Sequence, residues 1–356
     1  MANTKLETVL TQWQNLQPLA EIDRDRLSRR FTIDFNYNSN HIEGNTLTYG
    51  QTELLLLFGK IVGEANFRDC EEMKASNVGL QMMLVESSDK QLPLTQNFIR
   101  TLHRTLLRED YTVYRMLPGG VQTSYVIHAG QYKTRPNSVI TRYGDRFEYA
   151  SPEETPALMA DLVDWYNHAE QEGKLSPIDL AILFHYRYIR IHPFEDGNGR
   201  IARLMVNYIL SRHGYPMIVV RSRLKQDYLE ALHRADLIVG STPADGAHAS
   251  LKDIRPFHKY MVNLICHEIE NDVLFVTEKS QDVWWYDGER IAFRTPSYGK
   301  ILQELRREPK ATLAYLQEEI GINRSALQKL LQTLLDKHYV ERDADGSWRV
   351  FITPSE

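Results

Sequence analysis

Apolar residues recur every three to four positions over most of this 356-residue chain, the spacing that places them on one face of a helix. The pattern predicts helical structure over 3–35, broken only at Pro18, and over 48–62, from near Thr48 through Leu54-Leu55-Leu56-Leu57-Phe58. Amphipathic helices are expected over 68–86 and 95–109. Between residues 121 and 150 the period shortens. Tyr125-Val126-Ile127 and Ser138 to Arg142 are β-prone runs, Tyr143-Gly144-Asp145-Arg146 is a turn, and Phe147-Glu148-Tyr149 follows. A hairpin inside a helical protein is the expectation. A helix then opens at Ser151-Pro152-Glu153-Glu154 and runs to 171.

Ser176-Pro177-Ile178-Asp179 reads as a helix start, with Ser as cap, Pro at the first helical position and Asp accepting amide protons. That helix, Ile178 to Arg190, leads into His192-Pro193. After Gly199 a second helix runs to Arg212, with Leu204, Met205, Tyr208 and Ile209 on a common face, until Gly214 and Pro216 stop it. Residues 221–277 are helical again, with a loop at Gly240 to Gly246 and a linker over 278–296. The tail reads as helices over 297–308, 312–320 and 324–337, a strand over 339–342, the turn Asp343-Ala344-Asp345-Gly346 and a strand over 347–352. That order resembles a winged helix-turn-helix.

Composition acts mainly by exclusion. Hydrophobic residues are 42% and charged residues 25% of the chain, as in ordinary globular proteins. A net charge of -5 argues against a broad nucleic-acid or acidic-membrane surface. Cys70 and Cys266 are the two cysteines, far apart, so neither a disulfide framework nor a cysteine zinc site is expected and a reducing compartment fits. Neither a signal-like apolar run over Met1 to Ala20 nor a bilayer-length apolar stretch is present, and the expected location is cytoplasmic.

The densest chemistry lies in His192-Pro193-Phe194-Glu195-Asp196-Gly197-Asn198-Gly199-Arg200-Ile201-Ala202-Arg203. An imidazole that titrates near neutrality can take the proton of a hydroxyl. Alone, His192 would read as a satisfied histidine at a helix end. Asp196 can hold Mg²⁺, which needs only one or two carboxylates beside substrate phosphates, and Glu195 is its rival. Gly197-Asn198-Gly199 can turn amide N–H groups toward an anion at a helix N-terminus, with the Asn198 amide added. Arg200 and Arg203 sit on adjacent turns as two guanidinium forks for phosphates. Phe194 reads as an anchor of the loop in the core.

The string resembles the signature of the Fic family, HPFx[D/E]GNGRxxR, with every fixed position filled. The resemblance covers residues 30–260 and implies transfer of AMP from ATP to a hydroxyl of a target protein, with Mg²⁺. It implies His192 as general base, Asp196 as metal ligand, and Gly197, Asn198, Gly199, Arg200 and Arg203 as the phosphate site. Phosphate-transferring relatives of the Doc type carry a lysine where this chain has Gly199, so AMP transfer is the expected chemistry. The 124–150 hairpin corresponds to a flap that clamps a target segment by strand pairing, a plain surface hairpin being the alternative. Tyr228 lies where family members often carry an aromatic residue beside the adenine, although a tyrosine at helical spacing is commonly core.

Ser39-Asn40-His41-Ile42-Glu43-Gly44-Asn45 is similar to the family's inhibitory motif, [S/T]xxxE[G/N]. It implies that Glu43 pairs with Arg203, the fork for the γ-phosphate, and misplaces ATP; a Glu43 that serves its own helix is the alternative. In some members the same glutamate supports removal of AMP, and self-modification occurs. The implied fold is mainly α, a Fic-type helical core with a β-hairpin flap and then a small winged helix-turn-helix. The implied division is 1–110 for the N-terminal helical region with the inhibitory motif, 111–277 for the catalytic core and packing helices, and 285–356 for the winged module. A homodimer is common in the family.

In the winged module Arg324, Ser325, Gln328, Lys329 and Gln332 are the candidate readers. Residues 281–356 hold 11 Lys+Arg against 12 Asp+Glu, so a protein-interaction role is at least as well supported as DNA binding. The Trp284-Trp285-Tyr286 cluster either packs this module on the core or is simply buried. Two further readings stay open: a transcriptional regulator with the core as sensor, and transfer of another phosphate-linked group such as UMP or phosphocholine.

Overall fold

The computed structural model describes residues 2–61, 63–116, 122–140 and 146–355. Helix α1 (Ala2–Asn15) ends before Pro18, and α2 (Glu21–Ile42) continues well past residue 35, where its apolar pattern fades. It continues because the asparagines on its buried polar face bond back to the helix. Asn36, Asn38 and Asn40 donate from their side-chain amides to the carbonyls of Thr32, Asp34 and Asn36, one turn back, at 2.8, 2.9 and 2.8 Å. Helix α3 (Tyr49–Phe58) opens on a reciprocal Thr48–Gln51 capping box and stops short of residue 62 because Gly59 turns left-handed at φ 65°. Helices α4 (Phe67–Ser88) and α5 (Gln96–Leu107) follow, capped by Asn66 and Thr95.

One hairpin was expected between residues 121 and 150. Two antiparallel pairs are present among the described residues. Strand β1 (Tyr111–Met116) pairs with β2 (Gln122–Ile127), Tyr111 opposite Ile127, and β3 (Ser138–Ile140) pairs with β4 (Arg146–Glu148). Strand β1 is short and follows closely on α5, so its alternation is hard to separate from the helix before it. The expected turn residues Tyr143, Gly144 and Asp145 lie outside the described residues.

Helices α6 (Thr155–Glu172), α7 (Pro177–Ile191) and α8 (Asn198–Arg212) form the centre. The Ser176 hydroxyl accepts from the Asp179 amide at 3.0 Å, the cap that starts α7. Helix α8 is buried nearly all round, including Ile201, Ala202, Met205, Tyr208 and Ile209, as a helix enclosed by others must be. Helix α9 (Lys225–Val239) follows a 3₁₀ turn at Ser222–Leu224. The expected Gly240 to Gly246 loop in fact holds a short helix, α10 (Pro243–Ala247), with Pro243 in its first turn and Gly246 pressed on the Arg190 side chain. Helix α11 (Arg255–Thr277) packs on α1, α7 and α9.

The expected linker over 278–296 contains a hairpin, β5 (Val283–Tyr286) and β6 (Glu289–Ala292). Asp287 (φ 44°) and Gly288 (φ 71°) form its two-residue turn, an Asp-Gly signal that the sequence carries. Then come α12 (Pro296–Arg307), α13 (Leu313–Ile320), α14 (Arg324–Asp336), β7 (Val340–Arg342), β8 (Trp348–Val350) and β9 (Thr353–Pro354), a winged helix-turn-helix whose last strand joins β5. It has its own core around Ile301, Leu305, Leu316, Leu331 and Trp348. The aromatic triplet does both things considered for it. Trp284 fills this core, Trp285 meets Phe275 of α11 edge-on at 5.8 Å, and Tyr286 lies 4.7 Å from Tyr49 of α3. The fold is mainly α, and no described helix is long and apolar enough to cross a membrane.

Candidate active site

The site forms where α7 passes into α8. His192 caps α7 in the left-handed conformation, φ 51°, with its amide on the Tyr188 carbonyl at 2.9 Å. Its imidazole stacks on Tyr149, 3.9 Å between centroids, and its buried Nδ1 makes no close hydrogen bond, the Ile189 backbone being the polar group that acts on the ring. Burial pushes the imidazole down to about 3 and the Lys133 ammonium acts in the same sense, against the Ile189 backbone and the Asp196 charge. The ring is therefore neutral, with a lone pair to offer, throughout the physiological range.

The two candidate carboxylates face different ways. Asp196 accepts from the Tyr111 hydroxyl at 2.7 Å and the Gly197 amide at 2.7 Å, with Arg200 at 3.4 Å. Burial raises its carboxyl, but Arg200, Tyr111 and the Gly197 amide outweigh this and hold it below the ordinary value. The Glu195 carboxylate turns to the Thr134 hydroxyl instead, at 3.4 Å.

Gly197 makes the turn at φ 76°, which a side chain would strain. The Asn198 side chain also closes the loop. Its side-chain oxygen accepts from the Phe194 amide at 3.0 Å and its Nδ2 donates to the Phe194 carbonyl at 2.7 Å. Both ends of the amide are committed to closing the loop, because a chain leaving one helix must satisfy its backbone locally. The anion-binding groups that remain are the main-chain amides of Asn198, Gly199 and Arg200, which have no acceptor within their own helix. Arg200 is buried, and its Nε has no partner. Orphaned donors beside a helix N-terminus fit phosphate oxygens. One carboxylate nearby fits a Mg²⁺ that takes its other ligands from phosphate and water, and no cluster of three metal-binding side chains occurs among the described residues.

Arg203 is brought together with both residues of the N-terminal motif. Its Nη2 lies 2.7 Å from Glu43 Oε1 and donates to the Ser39 carbonyl at 2.8 Å, and its Nε donates to the Ser39 hydroxyl at 3.0 Å. Glu43 is the C-cap residue of α2 and also fills the space above Gly199, where an added Cβ would overlap Glu43 Oε1. Tyr228 adjoins this pair, with its hydroxyl within reach of Arg203 and 2.8 Å from His185 Nε2, but it is 2% exposed, with its ring among His185, Phe257 and Tyr260. That is the placement of a core tyrosine, the alternative considered from the sequence, and it leaves the ring little open face for a base.

Several residues of this site gave no signal in the sequence. His103 stacks on Phe194 at 3.7 Å, accepts from the Gly130 amide at Nδ1 and lies 3.0 Å from the Asp196 carbonyl at Nε2. The amide contact fixes its tautomer, and burial pushes it down to about 4. Tyr111 reaches Asp196 from β1, and Tyr149 and Lys133 flank the β3–β4 pair. Each is an ordinary residue type far away in sequence, so only the fold brings it here.

Residues 93–210 match the Fic/DOC family, and residues 299–341 match a family described as winged helix-turn-helix DNA-binding. Among solved structures, a Fic domain containing signaling protein from Bacteroides thetaiotaomicron is 52% identical with a TM-score of 0.72, covering 78% of this chain and 98% of that one. Fic-1 of Caenorhabditis elegans (aa134–508) is 25% identical with a TM-score of 0.59, covering 76% and 72%. Among curated proteins, protein adenylyltransferase fic-1 of C. elegans is 29% identical over 80% of this chain and 49% of its own length. Protein adenylyltransferase Fic of Nematostella vectensis is 29% identical over 68% and 49%. The chain thus spans about half the length of these curated relatives.

Proposed function

The chain belongs to the Fic/DOC family, and from that premise we propose that it is a protein adenylyltransferase, moving AMP from ATP to a Ser, Thr or Tyr hydroxyl of a target protein. One observation carries the reading. The α7–α8 loop joins a neutral imidazole, an ionised carboxylate, helix N-terminal amides and an Arg200 Nε without a partner.

In this reaction His192 takes the hydroxyl proton on its outer nitrogen. The hydroxyl oxygen bonds to the α-phosphorus, the bond to the bridging oxygen breaks, and pyrophosphate leaves with the electron pair. A base that is already neutral suits the first step. The amides of Asn198, Gly199 and Arg200 and the Arg200 guanidinium stabilise the phosphate charge. Asp196 would hold Mg²⁺, and the ion would supply positive charge against the phosphates. Tyr111 and Arg200 keep that carboxylate ionised and aimed. The hairpin β3–β4, which ends beside Tyr149 on His192, is suited to present the target segment.

The reading includes autoinhibition. With Glu43 on Arg203 at 2.7 Å, a γ-phosphate meets a carboxylate where it needs a guanidinium, and the in-line geometry at the α-phosphorus is lost. Gly199 supports AMP rather than phosphate transfer, since the phosphate-transferring Doc-type relatives carry a lysine at that position.

A second reading, transcriptional regulation, is favoured by the match over 299–341 and by the exposure of Arg324, Ser325, Gln328, Lys329 and Gln332 on α14. The near-neutral tail makes it the weaker of the two. Competition binding tests the donor. ATP displacing a labelled nucleotide better than UTP or CDP-choline supports adenylyl transfer, and a preference for either rival replaces it with transfer of UMP or phosphocholine.

A further inference from the structure

The chain leaves α7 through a left-handed residue, so the carbonyls that follow have no helical partners. Two residues between β2 and β3 take all of them. The Lys133 ammonium donates to the Ile191 carbonyl at 3.1 Å, the His192 carbonyl at 2.9 Å and Asn137 Oδ1 at 2.8 Å. The main-chain amide of Lys133 donates to the Pro193 carbonyl at 2.9 Å. Asn137 Nδ2 donates to the Phe194 carbonyl at 3.0 Å and reaches the His192 carbonyl at 3.4 Å. Carbonyls 191 through 194 are therefore all held from one short segment. Lys133 is 3% exposed, and its three ammonium protons are all used. The same segment continues through β3 and β4 to Tyr149, whose ring lies on the imidazole.

We propose that Lys133 and Asn137 are positioning residues for the reaction, which lock the backbone of His192 so that its imidazole meets the attacking hydroxyl and which join that base mechanically to the β3–β4 hairpin. The proposal rests on the reading of His192 as general base. A left-handed L-residue such as His192, at φ 51°, is strained relative to its right-handed form. Without donors on its carbonyl, His192 has a cheaper backbone conformation that swings the ring away. Lysine is well suited to the post, with three donors, no acceptor, and a positive charge at the negative end of α7. Burial pushes this ammonium down to about 7, while its three acceptors favour the charged form. The Lys133 bonds to the loop end on carbonyls 191 to 193, before the amides of the phosphate site begin at Asn198. Their loss acts on the chemical step and leaves nucleotide binding alone.

The test compares Lys133→Met, Lys133→Arg and Asn137→Ala in the Glu43→Gly protein. Three quantities are read: transfer of α-labelled AMP at saturating ATP, ATP affinity, and the imidazole ¹⁵N signals of His192. Lys133→Met is expected to lower kcat on the order of 10- to 100-fold with ATP affinity within about twofold, and to shift the His192 signals. Lys133→Arg is expected to restore part of kcat, and Asn137→Ala to fall between. An unchanged kcat in Lys133→Met, or a loss that only tracks the folded fraction, overturns the proposal. If the Glu43→Gly protein itself transfers no label, the adenylyltransferase reading fails. The spectra then decide the positioning role alone: shifted His192 signals in Lys133→Met support it and unchanged ones overturn it.

Discussion

At the scale of single residues, the proposed reaction draws on a contrast between an uncharged imidazole and a charged carboxylate. His192 and Asp196 lie four positions apart on one loop. Burial and Lys133 keep the first neutral, while Tyr111, Arg200 and the Gly197 amide keep the second ionised. This has a consequence for pH dependence. A histidine whose pKa is lowered stays unprotonated, and so competent as a base, as pH falls through the ordinary value of 6.5. The acid limb of kcat/KM, which reports the free enzyme, is expected well below that value, with activity flat from about pH 6.5 to about 5. Half of kcat/KM lost near pH 6.5 would mean that His192 is hydrated and ordinary. The sequence made His192, Asp196 and Arg203 legible because they sit in one contiguous string. It could not show Lys133, His103 or Tyr111, whose partners are backbone carbonyls or side chains tens of residues away.

At the scale of elements, the α7–α8 connection is closed by the Asn198 side chain, which binds both polar groups of the Phe194 backbone. Removing it strands a buried amide. Asn198→Ala is expected to cost about 1–3 kcal/mol in urea unfolding, and an unchanged midpoint would show that the loop closes without it. Element prediction succeeded where one physical cause dominated: the Ser176-Pro177 start of α7 and the amphipathic α5 both formed as expected. It failed where side-chain bonding overrode the apolar pattern. Helix α2 extends on a ladder of asparagines, and Gly59 ends α3 early. The β5–β6 hairpin stands where a linker is expected, although Asp287-Gly288 marks its turn.

At the scale of the whole molecule, the helical core and the winged module meet through a buried charge cluster. Arg221, 2% exposed, pairs with Asp34 of α2 at 2.8 Å, Glu268 of α11 at 2.6 Å and Asp287 of the β5–β6 turn at 3.0 Å. Arg221→Met leaves those carboxylates buried without their cation. A loss of about 3–5 kcal/mol is expected, read as a lowered urea midpoint, and a neutral effect would show that the cluster is hydrated. The same cluster leans on α2, whose last residues place Ser39 and Glu43 on Arg203. Docking of the winged module and placement of Glu43 on Arg203 thus share one helix. The sequence showed both modules but not this joint, because its members are single charged residues spread from Asp34 to Asp287.

The central claim is that the α7–α8 loop transfers AMP and that Glu43 restrains it. Purified wild-type, Glu43→Gly and His192→Ala proteins should be incubated with Mg²⁺, cell lysate and ATP labelled on either the α- or the γ-phosphate. The account predicts α-label fixed to protein, stronger in Glu43→Gly by on the order of 10- to 100-fold, and absent in His192→Ala. Fixed γ-label alone would mean phosphate transfer despite Gly199, and no fixed label from either position in any of the three proteins would contradict the account outright.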